Sequence, residues 1–117
     1  DQKERVDLVE AAVSHLNNVT VRRFQGLSVT FVREQEAHVV LRGVRSLTDI
    51  ESEFTMTLAN RMLDSEIETV FLMADAQYSH ISSSLLKQIT PLANDIALGK
   101  FVPPAVVKAL REKLAKK

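Results

Sequence analysis

Two short apolar runs, Val39-Val40-Leu41 and Val70-Phe71-Leu72-Met73, flank a segment in which Ile50, Phe54, Leu58 and Met62 recur every fourth residue. The first, unbroken and largely β-branched, suits a strand buried on both faces of a parallel sheet, and the second reads as a further strand. Four-residue recurrence instead lines one face of a helix. Strand, helix and strand in that order predict an α/β fold with a parallel sheet covered by helices, and argue against an all-α or α+β arrangement.

The alternation extends to both ends. Asp1 followed by Glu4 fits a capping box, and Val6, Val9, Ala12, Val13 and Leu16 predict a first helix over residues 2–16. Asn17-Asn18 breaks it, and the alternation from Val19 and Val21 to Phe24 reads as a short strand ended by Gly26. A second helix is expected over 28–36, a strand over 39–41, and a third helix over 48–63 with Thr48 as its N-cap. Asp64-Ser65 ends that helix, a strand follows over 68–73, and a helix over 82–90 is closed by Pro91. Phe101-Val102-Pro103-Pro104 is an extended entry to a last helix, with proline suited to its first turn. At 117 residues, with no internal repeat and no long linker, the whole of 1–117 reads as one domain.

Charge and composition narrow the function. Lys plus Arg and Asp plus Glu number 15 each, so the overall field favours neither nucleic acid nor an anionic membrane. A basic cluster of Lys100, Lys108, Arg111, Lys113, Lys116 and Lys117 beside Glu112 reads as the solvated face of the terminal helix. The absence of cysteine removes disulfides, thiolate zinc sites and cysteine nucleophiles, and fits a reducing compartment such as the cytoplasm. No apolar run approaches the roughly 20 residues that span a bilayer. The first residue, Asp1, is not methionine, so the chain is expected to be a piece of a longer one.

In a parallel α/β sheet, ligands bind beyond the carboxyl ends of the strands. Two segments lie there. Arg42-Gly43-Val44-Arg45 offers two guanidinium forks, which match phosphate geometry, around a glycine that permits close backbone approach. Tyr78-Ser79-His80-Ile81-Ser82-Ser83-Ser84 places hydroxyls at a helix start, where unpaired amides and the helix dipole favour an anion. One serine is enough for an ordinary cap, and only the arginine segment at a neighbouring strand end turns the reading toward a phosphate crevice. On the third helix, Asp49, Glu53, Met56 and Asn60 form a second stripe, either a solvated face or a crevice wall. His15 and His38 read as structural, and none of the three histidines has metal-ligand spacing, so no metal site is assigned to protein ligands. A G-x-S-x-G elbow and glycine-rich phosphate loops are absent, the glycines being only 26, 43 and 99.

A further set of strings occurs in one order: Glu4-Arg5-Val6, Leu41-Arg42-Gly43-Val44-Arg45, Asp49 with Glu53 and Phe54, Asn60-Arg61, Glu68-Thr69-Val70-Phe71-Leu72-Met73, Ile81-Ser82-Ser83-Ser84-Leu85-Leu86-Lys87, and Lys100-Phe101-Val102-Pro103. Through them the chain resembles bacterial phosphopantetheine adenylyltransferases over essentially its whole length. The resemblance implies an incomplete Rossmann-like nucleotidyltransferase fold with helices on both faces of a parallel sheet. It also implies a cytoplasmic enzyme of coenzyme A synthesis, hexameric in the family, that transfers AMP from ATP with Mg2+ to 4′-phosphopantetheine. Carried over, Arg42 would hold the phosphopantetheine phosphate, with Ser28 and Asn60 also on the substrate side. Gly43, Val44 and Arg45 would line the ATP phosphates, Arg45 stabilising charge, and Glu53 would contact ATP. Tyr78, Ser79, His80, Ile81, Ser82, Ser83 and Ser84 would wrap the adenine and phosphates, Asp49 would be a wall residue, and coenzyme A is a further expected ligand.

Departures accompany the match. Gln88 stands where a glutamate is common, Ser52 where an aromatic is common and Ala74 where proline often follows the strand, which suggests a divergent member. The family's first strand, its Thr-x-Gly-His motif, the next helix and a substrate-binding lysine all precede the point that matches Asp1. The motif histidine stabilises the transition state in the family, so no catalytic residue of that kind is assigned here, and these 117 residues alone are expected to lose adenylyl transfer by orders of magnitude. The alternatives are a non-catalytic nucleotide- or coenzyme A-binding assembly module, and an adenylyltransferase acting on nicotinamide mononucleotide. The Arg-Gly-x-Arg string and the triple serine before Leu85-Leu86-Lys87 argue against the last.

Overall fold

A computed structural model describes residues 1–115; Lys116 and Lys117, part of the basic C-terminal cluster, lie outside the described residues. The chain divides into two compact units, one of Phe24–His80 and one of Asp1–Arg23 with the described part of Ile81–Lys117.

The Phe24–His80 unit holds helix α2 (Ser28–Glu34), strand β1 (Val39–Val44), helix α3 (Leu47–Leu63), strand β2 (Glu68–Met73) and a 3₁₀ turn (Ala76–Tyr78). The two strands are parallel, in register from Val39 opposite Glu68 to Val44 opposite Met73. The α3 helix packs on β1, and α2 packs on α3. This is the expected α/β arrangement, a parallel sheet flanked by helices and consistent with an incomplete Rossmann-like fold.

Details of the expectation are corrected. The N-cap of α3 is Ser46, whose side chain accepts from the Asp49 amide at 3.2 Å, and not Thr48, which already lies inside the first turn. The α2 helix stops at Glu34 and not at 36, because Glu36 turns to φ 56° and the Ala37 amide bonds back to Val32 at 3.1 Å, a left-handed cap that cannot continue a helix. Burial of the strands on both faces is also corrected. Val40, Val44, Thr69 and Phe71 are covered to varying degrees, but Leu41 and Leu72 are each more than 60 % exposed, because α3 covers one sheet face and the alternate residues point to the other.

The apolar stripe of α3 does not form the packed face. Phe54, Leu58 and Met62 are all exposed, whereas Asp49, Ile50, Glu53, Thr57 and Asn60 are half-buried. Ion pairs hold this rotation: Arg42 on Glu53, Arg45 on Asp49 and Arg33 on Asp64 reach α3 and its C-cap from outside the helix, and Arg61 of α3 reaches Glu68 of β2. The Thr57 hydroxyl donates to the Glu53 carbonyl at 2.8 Å, so the inward polar face leaves its hydroxyl satisfied.

In the other unit, α1 (Gln2–Val13) begins with the expected capping box. The Glu4 amide donates to Asp1 Oδ1 at 2.8 Å, and Glu4 accepts from the backbone nitrogen of Asp1. It ends at Val13 rather than at residue 16. The strand expected over 19–24 does not form; a strand needs a ladder partner for its backbone groups, and this segment has none among the described residues. The remaining helices are α4 (Ser83–Ile89), α5 (Asp95–Leu98) and α6 (Pro104–Ala115), the last packing on α1 and starting at the expected proline.

Leu98 and Thr90 anchor this unit, 0 % and 1 % exposed. Buried Thr90 is satisfied by donating its hydroxyl to the Leu86 carbonyl. Arg111 of α6 donates to the carbonyls of Thr90 and Ala93 and pairs with Asp95 at 2.9 Å, tying the end of α4 and the start of α5 to α6. Among the described residues no helix is long and apolar enough to cross a membrane.

Candidate functional site

A cavity of about 380 Å3 opens in the Phe24–His80 unit between α3 and the covered face of the sheet. Its polar groups come from separate elements: Ser28 from the start of α2, Arg42 from β1, and Glu53 and Asn60 from α3. Val40 and Met56 supply apolar surface. Phe24 and Phe31 stack with ring centroids 4.5 Å apart and planes 8° apart, adding an aromatic wall. Such a site, mostly apolar with a few convergent polar groups, suits an elongated organic ligand carrying an anionic end.

Arg42 and Glu53 form the charged centre of this cavity. Arg42 Nε donates to Glu53 Oε2 at 2.8 Å and Nη2 to Oε1 at 2.6 Å, a bidentate pair. Hydrogen bonding from Arg42 holds the Glu53 carboxyl below its ordinary value against the opposing effect of burial, and Glu53 raises the guanidinium in return. Both groups are therefore charged at neutral pH.

Beyond Arg42, β1 ends in Gly43 and Val44. Gly43 has nothing within 4 Å of where a Cβ would stand. Val44 is 2 % exposed and belongs to the core of this unit. Asp49 accepts from the Arg45 amide at 2.9 Å and from Arg45 Nε at 3.2 Å. The amide bond is the larger cause that keeps Asp49 below its ordinary value.

The serine segment falls across the two units. Tyr78, half exposed, closes the 3₁₀ turn capped by Asp75, and Ser79 donates its hydroxyl to the Ala76 carbonyl at 2.9 Å. His80 ends that unit, and Ile81 begins the other. Ser82 is the N-cap of α4, accepting from the Leu85 amide at 3.2 Å, while Ser83 and Ser84 form the first turn.

The structure thus brings Ser28, Arg42, Glu53 and Asn60 into one cavity, and pairs Asp49 with Arg45 outside it. Of the two readings of the polar stripe on α3, Glu53, Met56 and Asn60 take the crevice wall. The aromatic wall and the Arg42–Glu53 pair are additions. Phe24 and Phe31 read as parts of separate elements, and an arginine on a strand has no sequence-local signal for a glutamate eleven residues later.

Residues 1–89 match a family model described as cytidylyltransferase-like. A phosphopantetheine adenylyltransferase of Rhodopirellula baltica is 57 % identical over 114 residues, covering 97 % of this chain and 64 % of that protein. One from Clostridium perfringens is 46 % identical over 112 residues, 96 % of this chain and 67 % of its own length. One from Caulobacter vibrioides is 45 % identical over 117 residues, 97 % of this chain and 71 % of its own. The chain thus spans about two-thirds of the length of the curated relatives it matches. Similarity of this depth, carried by a cytidylyltransferase-like domain with a parallel sheet, shows that the chain belongs to the phosphopantetheine adenylyltransferase family.

Proposed function

We propose that the full-length protein containing this chain is a pantetheine-phosphate adenylyltransferase, moving AMP from ATP to 4′-phosphopantetheine to give dephospho-coenzyme A and pyrophosphate. The observation that carries the reading is the convergence of Ser28, Arg42 and Asn60 on one largely apolar cavity of about 380 Å3. The pantetheine arm is amide-rich and flexible. Asn60 and Ser28 offer it hydrogen bonds, the Phe24–Phe31 wall and Met56 offer contact, and Arg42 offers charge to its phosphate.

In this reading a phosphate oxygen of phosphopantetheine attacks the α-phosphorus of ATP, and the bond from that phosphorus to the pyrophosphate oxygen breaks in line. Such a step needs positioning and charge neutralisation more than a protein nucleophile. Arg42 orients the attacking phosphate, the Gly43 backbone approaches the ATP phosphates with buried Val44 supporting the strand end, and Arg45 stabilises developing charge. Glu53 and residues 78–80 complete the nucleotide contacts of the Phe24–His80 unit. Mg2+, accompanying ATP, supplies further neutralisation of the polyphosphate.

Self-association and a cytoplasmic setting belong to the same proposal. The exposed apolar residues Phe54, Leu58 and Met62 on α3 suit a second copy of the chain, and the lack of cysteine suits a reducing compartment. Pyrophosphate release by the full-length protein, with ATP and 4′-phosphopantetheine, is the test. Turnover that needs both substrates is expected, with Arg42→Ala raising the KM for phosphopantetheine at least tenfold; binding of coenzyme A without turnover would move the assignment to a non-catalytic module.

A further inference from the structure

Glu53 is bound to Arg42 and not simply near it, and the edge of the guanidinium that it uses is informative. A guanidinium carries five N–H donors in a planar fork. Glu53 takes Nε and one proton of Nη2, at 2.8 and 2.6 Å, which is the side edge of the fork. The end edge, made by Nη1 and the second proton of Nη2, has no described partner. That end edge is itself a bidentate donor of the shape a phosphate accepts.

Burial shows which partner is anchored. The Glu53 side chain is 21 % exposed and rises from the middle of α3, whereas Arg42 is 51 % exposed. Both line the same cavity. A long flexible side chain held along its side by a fixed carboxylate has its end edge fixed too, and loses less rotamer freedom when an anion arrives. A carboxylate competing with the anion would occupy the end edge, and this one does not.

We infer that Glu53 is a positioning residue for Arg42, holding its end fork ready for a terminal phosphate monoester and so setting the preference for a phosphorylated over an unphosphorylated pantetheine. The inference rests on the proposed acceptor substrate and deepens it, giving Glu53 a role on the acceptor side in addition to any contact with ATP.

The test is titration calorimetry of the full-length protein with 4′-phosphopantetheine and with pantetheine. The wild type, by binding the phosphorylated ligand at least tenfold more tightly, tests the substrate reading; no preference there overturns both that reading and this inference. With the preference present, Glu53→Gln is expected to reduce the ratio of phosphopantetheine to pantetheine affinity about tenfold, since the amide cannot accept from both guanidinium nitrogens. Arg42→Ala abolishes the preference, and adding Glu53→Gln to Arg42→Ala changes nothing more. Arg42→Lys serves as a second variant that leaves α3 untouched: it keeps the charge but removes the edge that Glu53 holds, and is expected to lose as much preference as Glu53→Gln. An unchanged or increased preference in Glu53→Gln, or full preference in Arg42→Lys, overturns the inference.

Discussion

Gly43→Ala separates what the fold requires of this position from what a ligand requires. Gly43 lies inside β1 with ordinary strand conformation, Gly26 being the described glycine with positive φ. A Cβ built on it meets nothing within 4 Å. The folded chain therefore accommodates alanine without a clash, and the substitution lowers the entropy of the unfolded chain, a gain of about 0.4–1 kcal/mol. The melting temperature is expected to rise by roughly 2–8 °C on the scale of a domain near 100 residues. Ligand affinity should move the other way. If ATP phosphates approach the Gly43 backbone, a methyl group there displaces at least one charge-assisted hydrogen bond worth roughly 1.5–3 kcal/mol, or about 10- to 150-fold in the KM for ATP. Differential scanning fluorimetry and ATP-dependent pyrophosphate release on the same preparation measure both effects. Destabilisation by more than about 1 kcal/mol would show that the fold needs the glycine; raised stability with unaltered KM would remove Gly43 from the nucleotide site.

Other outcomes are expected from the same structure. Leu98→Ala, at a fully buried position of α5, is expected to cost about 2–5 kcal/mol in urea unfolding through lost apolar burial and a residual cavity; a change under 1 kcal/mol would mean that the Thr90–Leu98 region is not a packed core. Ser82→Ala removes the cap of α4 at a cost of about 1 kcal/mol, whereas Ser82→Asp keeps the cap and stability but repels phosphate, so only the second raises the KM for ATP with stability retained. Acid sensitivity follows from Glu53, Asp49 and Asp64, held below their ordinary values of 4.5, 3.8 and 3.8 chiefly by bonds from Arg42, the Arg45 amide and Arg33 respectively. Because folded values lie below unfolded ones, their contribution is present above about pH 4–5 and is lost as pH falls through the folded values; urea midpoints that fail to drop between pH 5 and pH 3 would contradict the pairings.

The elements that sequence shows well are those whose stabilisation is local. The capping box at Asp1 and Glu4, the cap at Ser82, and the strand over 68–73 all appear where the residues place them. Failures come where a distant partner decides. Val19 to Phe24 alternates like a strand, but no other strand is there to complete its hydrogen bonds. The end of α2 depends on Glu36 entering the left-handed region, which glycine or asparagine adopts more readily and which composition therefore does not mark.

The geometry of the cavity was not legible in the sequence, and α3 shows why. Its periodicity identifies two stripes correctly, yet the rule that apolar stripes face inward chooses the wrong one. What holds Glu53 and Asn60 toward β1 is a set of arginine–carboxylate pairs between α3 and the segments on either side of it, at separations from 4 residues for Arg45–Asp49 to 31 for Arg33–Asp64, which the apolar period of the helix does not record. Exposed pairs of this kind contribute little stability individually. Their effect here is geometric: they place the polar stripe on the cavity and leave Phe54, Leu58 and Met62 outside it. A helix that exposes its apolar stripe while holding polar groups over a cavity sacrifices burial within the unit, which is the arrangement expected when the inner face serves a ligand and the outer face another surface. Substituting Phe54, Leu58 and Met62 by polar residues should therefore leave the Arg42–Glu53 cavity and the phosphate preference intact while weakening self-association, measured by sedimentation; loss of the preference without dissociation would place those side chains in the packing that supports the site.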